Sequence, residues 1–172
     1  GMPANGSGEW NDCPFASLGC ELACLNTSGH GGIGLDQDNL NPVQIARLKR
    51  SAFFHTRRSE FWTMLIRDID RLIRKARKLG LKPAVRLNGT TDVKWEAQPV
   101  VIDGVKIADN IMALYDSVIF YDYTAWPYAK RPNETLPDNY HLTFSRKENN
   151  DDQIALNIAH GRNVTVVVDI PS

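Results

Sequence analysis

Cysteine is scarce in this chain: there are three, Cys13, Cys20 and Cys24, and none follows them. An odd count confined to one short segment excludes a disulfide framework as the device that holds the fold together. No run approaches about 18 uninterrupted apolar residues, so no segment reads as a transmembrane helix and no membrane partner is expected. The first eight residues are polar and lack the apolar core of a secretory signal. The expected compartment is therefore a reducing cytoplasm, where the sequons at Asn26, Asn88, Asn133 and Asn163 carry no glycan. Net charge is also missing, with twenty bases against twenty acids. Neither a P-loop nor a G-x-G-x-x-G following a strand is present, and no Ser-His-Asp order is readable.

What the chain does have is concentrated. The run Cys13-Pro-Phe-Ala-Ser-Leu-Gly-Cys20-Glu-Leu-Ala-Cys24 places three thiols within twelve positions, and glycines surround His30 just beyond. Cysteines used for packing would be scattered. Thiolates gathered in one loop suit a soft metal ion or an iron–sulfur cluster. The spacing C-x6-C-x3-C leaves one coordination position open, or open to His30.

Charge is uneven although it sums to zero. Between Arg47 and Lys82 twelve Lys or Arg face three acids, a local balance of +9, and the remainder carries −9. Such a segment is either a nucleic-acid face or the solvated side of two helices. No aromatic stacking residues interleave with the bases as a single-strand binder would need, which favours the solvated side.

At 172 residues the chain suits a single domain that buries roughly two thirds of its unfolded surface. Residues 1–40 form a cysteine- and glycine-rich segment ahead of an α/β domain over 41–172. Asn41-Pro42 predicts a helix start, running to about residue 55 with Val43, Ala46, Leu48 and Phe53 inward. A second helix, capped by Ser59, carries Trp62, Leu65, Ile69, Leu72, Ile73 and Ala76 at helical spacing and stops at Gly80. Strands are predicted over 83–88, 118–123, 140–145 and 164–169, with helices over 107–115 and 151–160 between them. This order implies an α/β fold: a mostly parallel sheet of about four strands with covering helices, either open or a partial or truncated (β/α) barrel. The chain stops directly after a strand, so a truncated chain or a second copy completing the sheet is expected.

Ligands of parallel α/β folds sit at the carboxyl ends of the strands. Those ends carry Asn88 and Asp92, Tyr121 to Thr124, Ser145 and Arg146, and Asp169. Asn88-Gly-Thr-Thr-Asp92 packs small and polar residues into one turn, where backbone can approach a ligand closely. Tyr121-Asp122-Tyr123 sets a carboxylate between two phenols, able to orient a substrate. The competing reading is that turns simply use these residues. Asn88, Asp92, Tyr121 and Asp122 are the candidate catalytic residues; Cys13, Cys20, Cys24 and His30 are the candidate metal ligands. His55 and His160 read as helix C-terminal residues that suit the dipole.

The cysteine run, together with Arg86-Leu-Asn-Gly-Thr-Thr-Asp92 and Phe120-Tyr-Asp-Tyr-Thr124, resembles the bacteriophage gene product 88 family over nearly the whole chain. The resemblance implies a phage origin, the cytoplasm of an infected or prophage-bearing bacterium, and joint importance of these three motifs. More distantly, three cysteines ahead of a βα array are similar to radical-SAM enzymes, which hold a [4Fe–4S] cluster on three cysteines, generally spaced C-x3-C-x2-C. The leading expectation is thus an enzyme with a three-cysteine iron–sulfur site, a cofactor that an exposed loop would lose in air. The alternatives are a Cys3His zinc knuckle on a nucleic-acid-binding protein that uses the Arg47 to Lys82 face, or a metal-free scaffold that forms a homodimer.

Overall fold

The computed structural model of the protein describes residues 2–3, 6–33 and 40–168. Gly34, the run 36–39, Asp169 and the last three residues therefore lie outside the described residues. The opening segment holds one short helix, α1 (Leu18–Leu22), capped by Ser17 whose Oγ accepts from the Cys20 N–H. Two 3-10 turns follow, over Leu25–Thr27 and Gly29–Gly31.

Helix α2 (Pro42–Thr56) begins as the Asn-Pro pair predicts, with Asn41 Oδ1 accepting from the Gln44 N–H at 2.9 Å. Its most buried face differs from the expected apolar one. Gln44 and Ser51 are buried beside Phe54, whereas Val43, Ala46, Leu48 and Phe53 are only half-buried. The reason is that α2 holds the N-terminal segment by polar contacts. Gln44 Nε2 donates to the carbonyls of Asn26 and Gly31, and Arg47 Nη1 donates to the Asn26 carbonyl and Oδ1. A Cβ on Gly31 or Gly32 would collide with the Asn26 or Thr27 carbonyl, so glycine is required where the two turns stack.

Helix α3 (Arg58–Lys78) is the longest element. Ser59 does not cap it: Arg57 occupies the cap without a side-chain bond, and Ser59 Oγ instead donates to Asp103 Oδ1. The far end is a Schellman cap, in which Gly80 takes φ +65° and Leu81 N–H donates to the Ala76 carbonyl at 2.9 Å. Trp62, Ile69 and Ala76 are buried, and Arg67, Arg71, Arg74, Lys75 and Lys78 are exposed, as the periodicity predicts.

After β1 (Ala84–Val85) the structure departs from the expected helix over 107–115. Residues 100–108 form an antiparallel hairpin, β2 (Val100–Ile102) and β3 (Val105–Ala108), and only a 3-10 turn follows over Met112–Leu114. Asp103-Gly104 supplies the two consecutive positive-φ residues, 49° and 80°, that a tight hairpin turn demands. Then come β4 (Ile119–Thr124), β5 (Tyr140–Ser145), α4 (Asp151–Ala159) and β6 (Asn163–Thr165). The last strand is shorter than predicted, because Val166, Val167 and Val168 are exposed and continue no ladder.

The four-stranded sheet runs β1-β4-β5-β6, all parallel, with Phe120 opposite Tyr140 and Phe144 opposite Val164. Each strand is added beside its predecessor in the sheet, the winding of an open (β/α) array. One face buries Phe120, Leu142 and Tyr140 against Phe54, Trp62, Ile69 and Trp95. Among the described residues no helix covers the other face, and Ile119, Tyr121 and Tyr123 of β4 are exposed there. The fold is therefore α/β with a parallel sheet covered on one side, plus a small separate antiparallel sheet.

Candidate active site at the carboxyl edge of the sheet

The carboxyl ends of β1, β4 and β5 open into loops 86–95, 125–131 and 146–150. A chain of buried polar groups ties the first two together. Asp122 points to the covered face, where its Oδ1 accepts from the Asn88 backbone N–H at 2.7 Å and its Oδ2 from the Tyr140 hydroxyl at 2.9 Å. The Asn88 side chain organises its own loop: Oδ1 accepts from Thr91 Oγ1, Val93 N–H and Trp95 Nε1.

Arg131, fully buried, is the hub. Its Nε and Nη2 donate to the two Glu96 oxygens, each at 2.7 Å, a fork-on-carboxylate pairing. Nη1 donates to Asp92 Oδ1 at 3.0 Å, and Nη2 also reaches the Tyr140 hydroxyl at 3.0 Å. Asp92 Oδ2 further accepts from the Ala125 N–H and Thr124 Oγ1. Burial pushes the Asp122 carboxyl up to about 6, against the bonds from Asn88 and Tyr140 that favour its ionised form. Burial raises Asp92 as well, and pushes the Tyr140 hydroxyl far above its usual range.

The structure thus brings Asn88, Asp92 and Asp122 together and separates Tyr121 from them. Tyr121 stands on the bare face, since neighbouring residues of a strand point to opposite sides. Arg131 and Glu96 belong to the same cluster and were not foreseen; both sit in irregular segments that no periodicity marks.

The cysteine segment lies across this edge. Asp92 N–H donates to the Asp12 carbonyl at 2.7 Å, and Cys13 Sγ donates to the Thr90 carbonyl at 3.6 Å, both in the loop after β1. Phe15 packs on Trp126, after β4, with ring centroids 4.5 Å apart. After β5, Lys147 Nζ donates to the Phe15 carbonyl and Glu148 Oε1 accepts from the Gly19 N–H. Cys20 is exposed, and its thiol is pushed up by partial burial and then by the neighbouring Cys24, with Lys147 opposing. Cys24 Sγ caps the first 3-10 turn by accepting from the Asn26 N–H at 3.4 Å. His30 is exposed on the second turn, which α2 holds. Among the described residues no three His, Cys, Asp or Glu side chains approach closely enough to hold a metal ion.

Between this segment and the start of α3 lies a cavity of about 300 Å³ lined by Asp12, His55, Arg58, Asp92, Lys94 and Trp126, among others. Buried Asp12 accepts from Ser51 Oγ at 2.7 Å, and its other oxygen lies 2.7 Å from His55 Nε2. The imidazole is held flat against Trp10, centroids 4.9 Å apart. A carboxylate that fixes one ring nitrogen leaves the other to take or give a proton. His55 is therefore more than a helix C-terminal residue; its partner lies 43 positions away in the loop, beyond any local pattern. His160 lies at the C-terminal cap of α4, as expected, and its ring also stacks on Tyr128 at 4.2 Å.

Fold and site together define a singly wound α/β protein with a thiol-bearing segment seated over the carboxyl edge of its sheet. The chain belongs to the gene product 88 family, which matches residues 1–170. No curated protein and no solved structure matches it. The more distant likeness to radical-SAM enzymes receives no support from these comparisons.

Proposed function

We propose that this gene product 88 family member is an enzyme that works at the carboxyl edge, with Cys13, Cys20 and Cys24 as ligands of an iron–sulfur cluster. The observation that carries the reading is the seating of the cysteine segment on the loops after β1, β4 and β5, at contacts 77 to 132 positions apart in the sequence. Soft thiolates suit iron, and short turns with an exposed Cys20 leave room for the segment to close on a cluster. Asp92 lines the adjoining cavity beside the Asp12–His55 pair, which supplies a proton acceptor. Asn88 and Asp122 act from behind as positioning residues, and Tyr121 stands outside the cavity.

Protein purified without air and without an immobilised-metal step is expected to contain iron and acid-labile sulfide, both lost in Cys20→Ser. One zinc per chain with no sulfide moves the weight to a second reading, a Cys3His zinc site with His30 on a nucleic-acid-binding protein. The exposed cations on the outer side of α3, from Arg67 to Lys78, favour that reading. Neither metal, in folded protein with three titratable thiols, overturns both and leaves a scaffold that pairs with another copy to complete its sheet.

A further inference from the structure

A parallel sheet ordinarily has both faces covered, because its crossovers place helices on them. Here one face is left bare by the described residues, and its composition is unusual for a surface awaiting a helix. Tyr121 and Tyr123 are 41% and 38% exposed. His141, Thr143 and Ser145 stand beside them on β5, with Tyr121 registered against His141 and Tyr123 against Thr143. Arg86, next to β1, lays its guanidinium 4.7 Å over the Tyr123 ring and is steadied by donating to the Asn88 carbonyl at 2.8 Å. The four strands place no carboxylate on this face.

An aliphatic partner, whether a helix or a second copy of this sheet, would find a single isoleucine, Ile119, to pack against on β4. A single-stranded nucleic acid would find what it needs: exposed aromatic rings for bases to stack on, hydroxyls and an imidazole for base edges, and the guanidinium of Arg86. The two tyrosines are two positions apart on one strand, about 7 Å along it, so successive unstacked bases can each take a ring. We infer that the bare face of the sheet, through Tyr121, Tyr123, His141 and Arg86, binds single-stranded nucleic acid. This face is opposite the helices, so it is separate from the α3 cations, and the inference does not depend on a metal at the thiols.

The test is fluorescence anisotropy of a labelled thymidine homopolymer about twenty nucleotides long, titrated at several salt concentrations. Wild-type protein is expected to bind it more tightly than a duplex of the same length. Tyr121→Ala and Tyr123→Ala should each weaken binding about tenfold at every salt concentration, because stacking is not a counterion effect. Arg86→Gln should lower the slope of log affinity on log salt by about one. Arg71→Glu with Arg74→Glu, on α3, should leave affinity within about twofold after allowance for net charge. Both tyrosines are exposed, so unchanged circular dichroism and melting temperature will verify folding. The inference is overturned if neither tyrosine variant changes affinity, if only the α3 variant abolishes it, or if no saturable binding occurs at low salt. Cys20→Ser should keep oligonucleotide binding and the tyrosine variants should keep any metal, so failure of this inference and failure of the thiol-site reading are read separately.

Discussion

Asp122 is one carboxylate too many for the cation beside it. Arg131 pairs directly with Asp92 and Glu96, and Asp122 meets it only through the Tyr140 hydroxyl. A carboxyl raised by burial to about 6, from an unfolded value near 3.9, binds its proton more tightly in the native state. Its contribution to stability is therefore fully present below about pH 4 and is lost as pH rises through about 6. Over that window the loss is at most about 3 kcal/mol. Asp122→Asn should flatten the fall in urea midpoint between pH 4 and 6; an undiminished slope would show that another group, such as Asp92, causes it. Arg131→Met should be far more damaging, by about 3–5 kcal/mol, because it strands two buried carboxylates. Denaturant unfolding at pH 7 measures this, and Glu96→Gln in the same background should recover part of the loss.

At the scale of elements, the ends are set by backbone and the faces by partners. Gly80 closes α3 at φ +65° with open space where a Cβ would sit. Gly80→Ala should then cost only the left-handed backbone term, about 1–2 kcal/mol, read as a lower melting temperature without change in the native spectrum. The helix periodicity of α3, the Asn41-Pro42 start of α2 and the approximate extents of β4 and β5 were all legible, since each depends on residues close in sequence. The hairpin over 100–108 was equally local, signalled by Asp103-Gly104 between two apolar runs, and the helix expected there overlooked that signal. The polar inner face of α2 was not legible, because Gln44 and Ser51 are buried only by a loop that folds back from far along the chain.

For the molecule as a whole, the question is what fastens the cysteine segment to the sheet. Phe15 on Trp126 is its apolar anchor, and Lys130 Nζ lies 5.2 Å over the same Phe15 ring. Phe15→Ala should release the segment without unfolding the core. The expected signs are faster alkylation of Cys13 and earlier proteolysis within residues 13–24, at a melting temperature within a few degrees of wild type. A segment as protected as before would mean that its backbone bonds to Asp92 and Glu148 suffice. The sequence by itself determined the parallel α/β order, the long α3 helix and the clustering of thiols, because periodicity, caps and spacing are local properties. Only the tertiary structure decided which parity of β4 is buried. Phe120-Asp122-Thr124 and Ile119-Tyr121-Tyr123 are similarly mixed sets, and a one-residue change of face exchanges them. Packing against the α3 core and the charge of Arg131 select the first, which puts Asp122 inside and leaves the tyrosines to solvent.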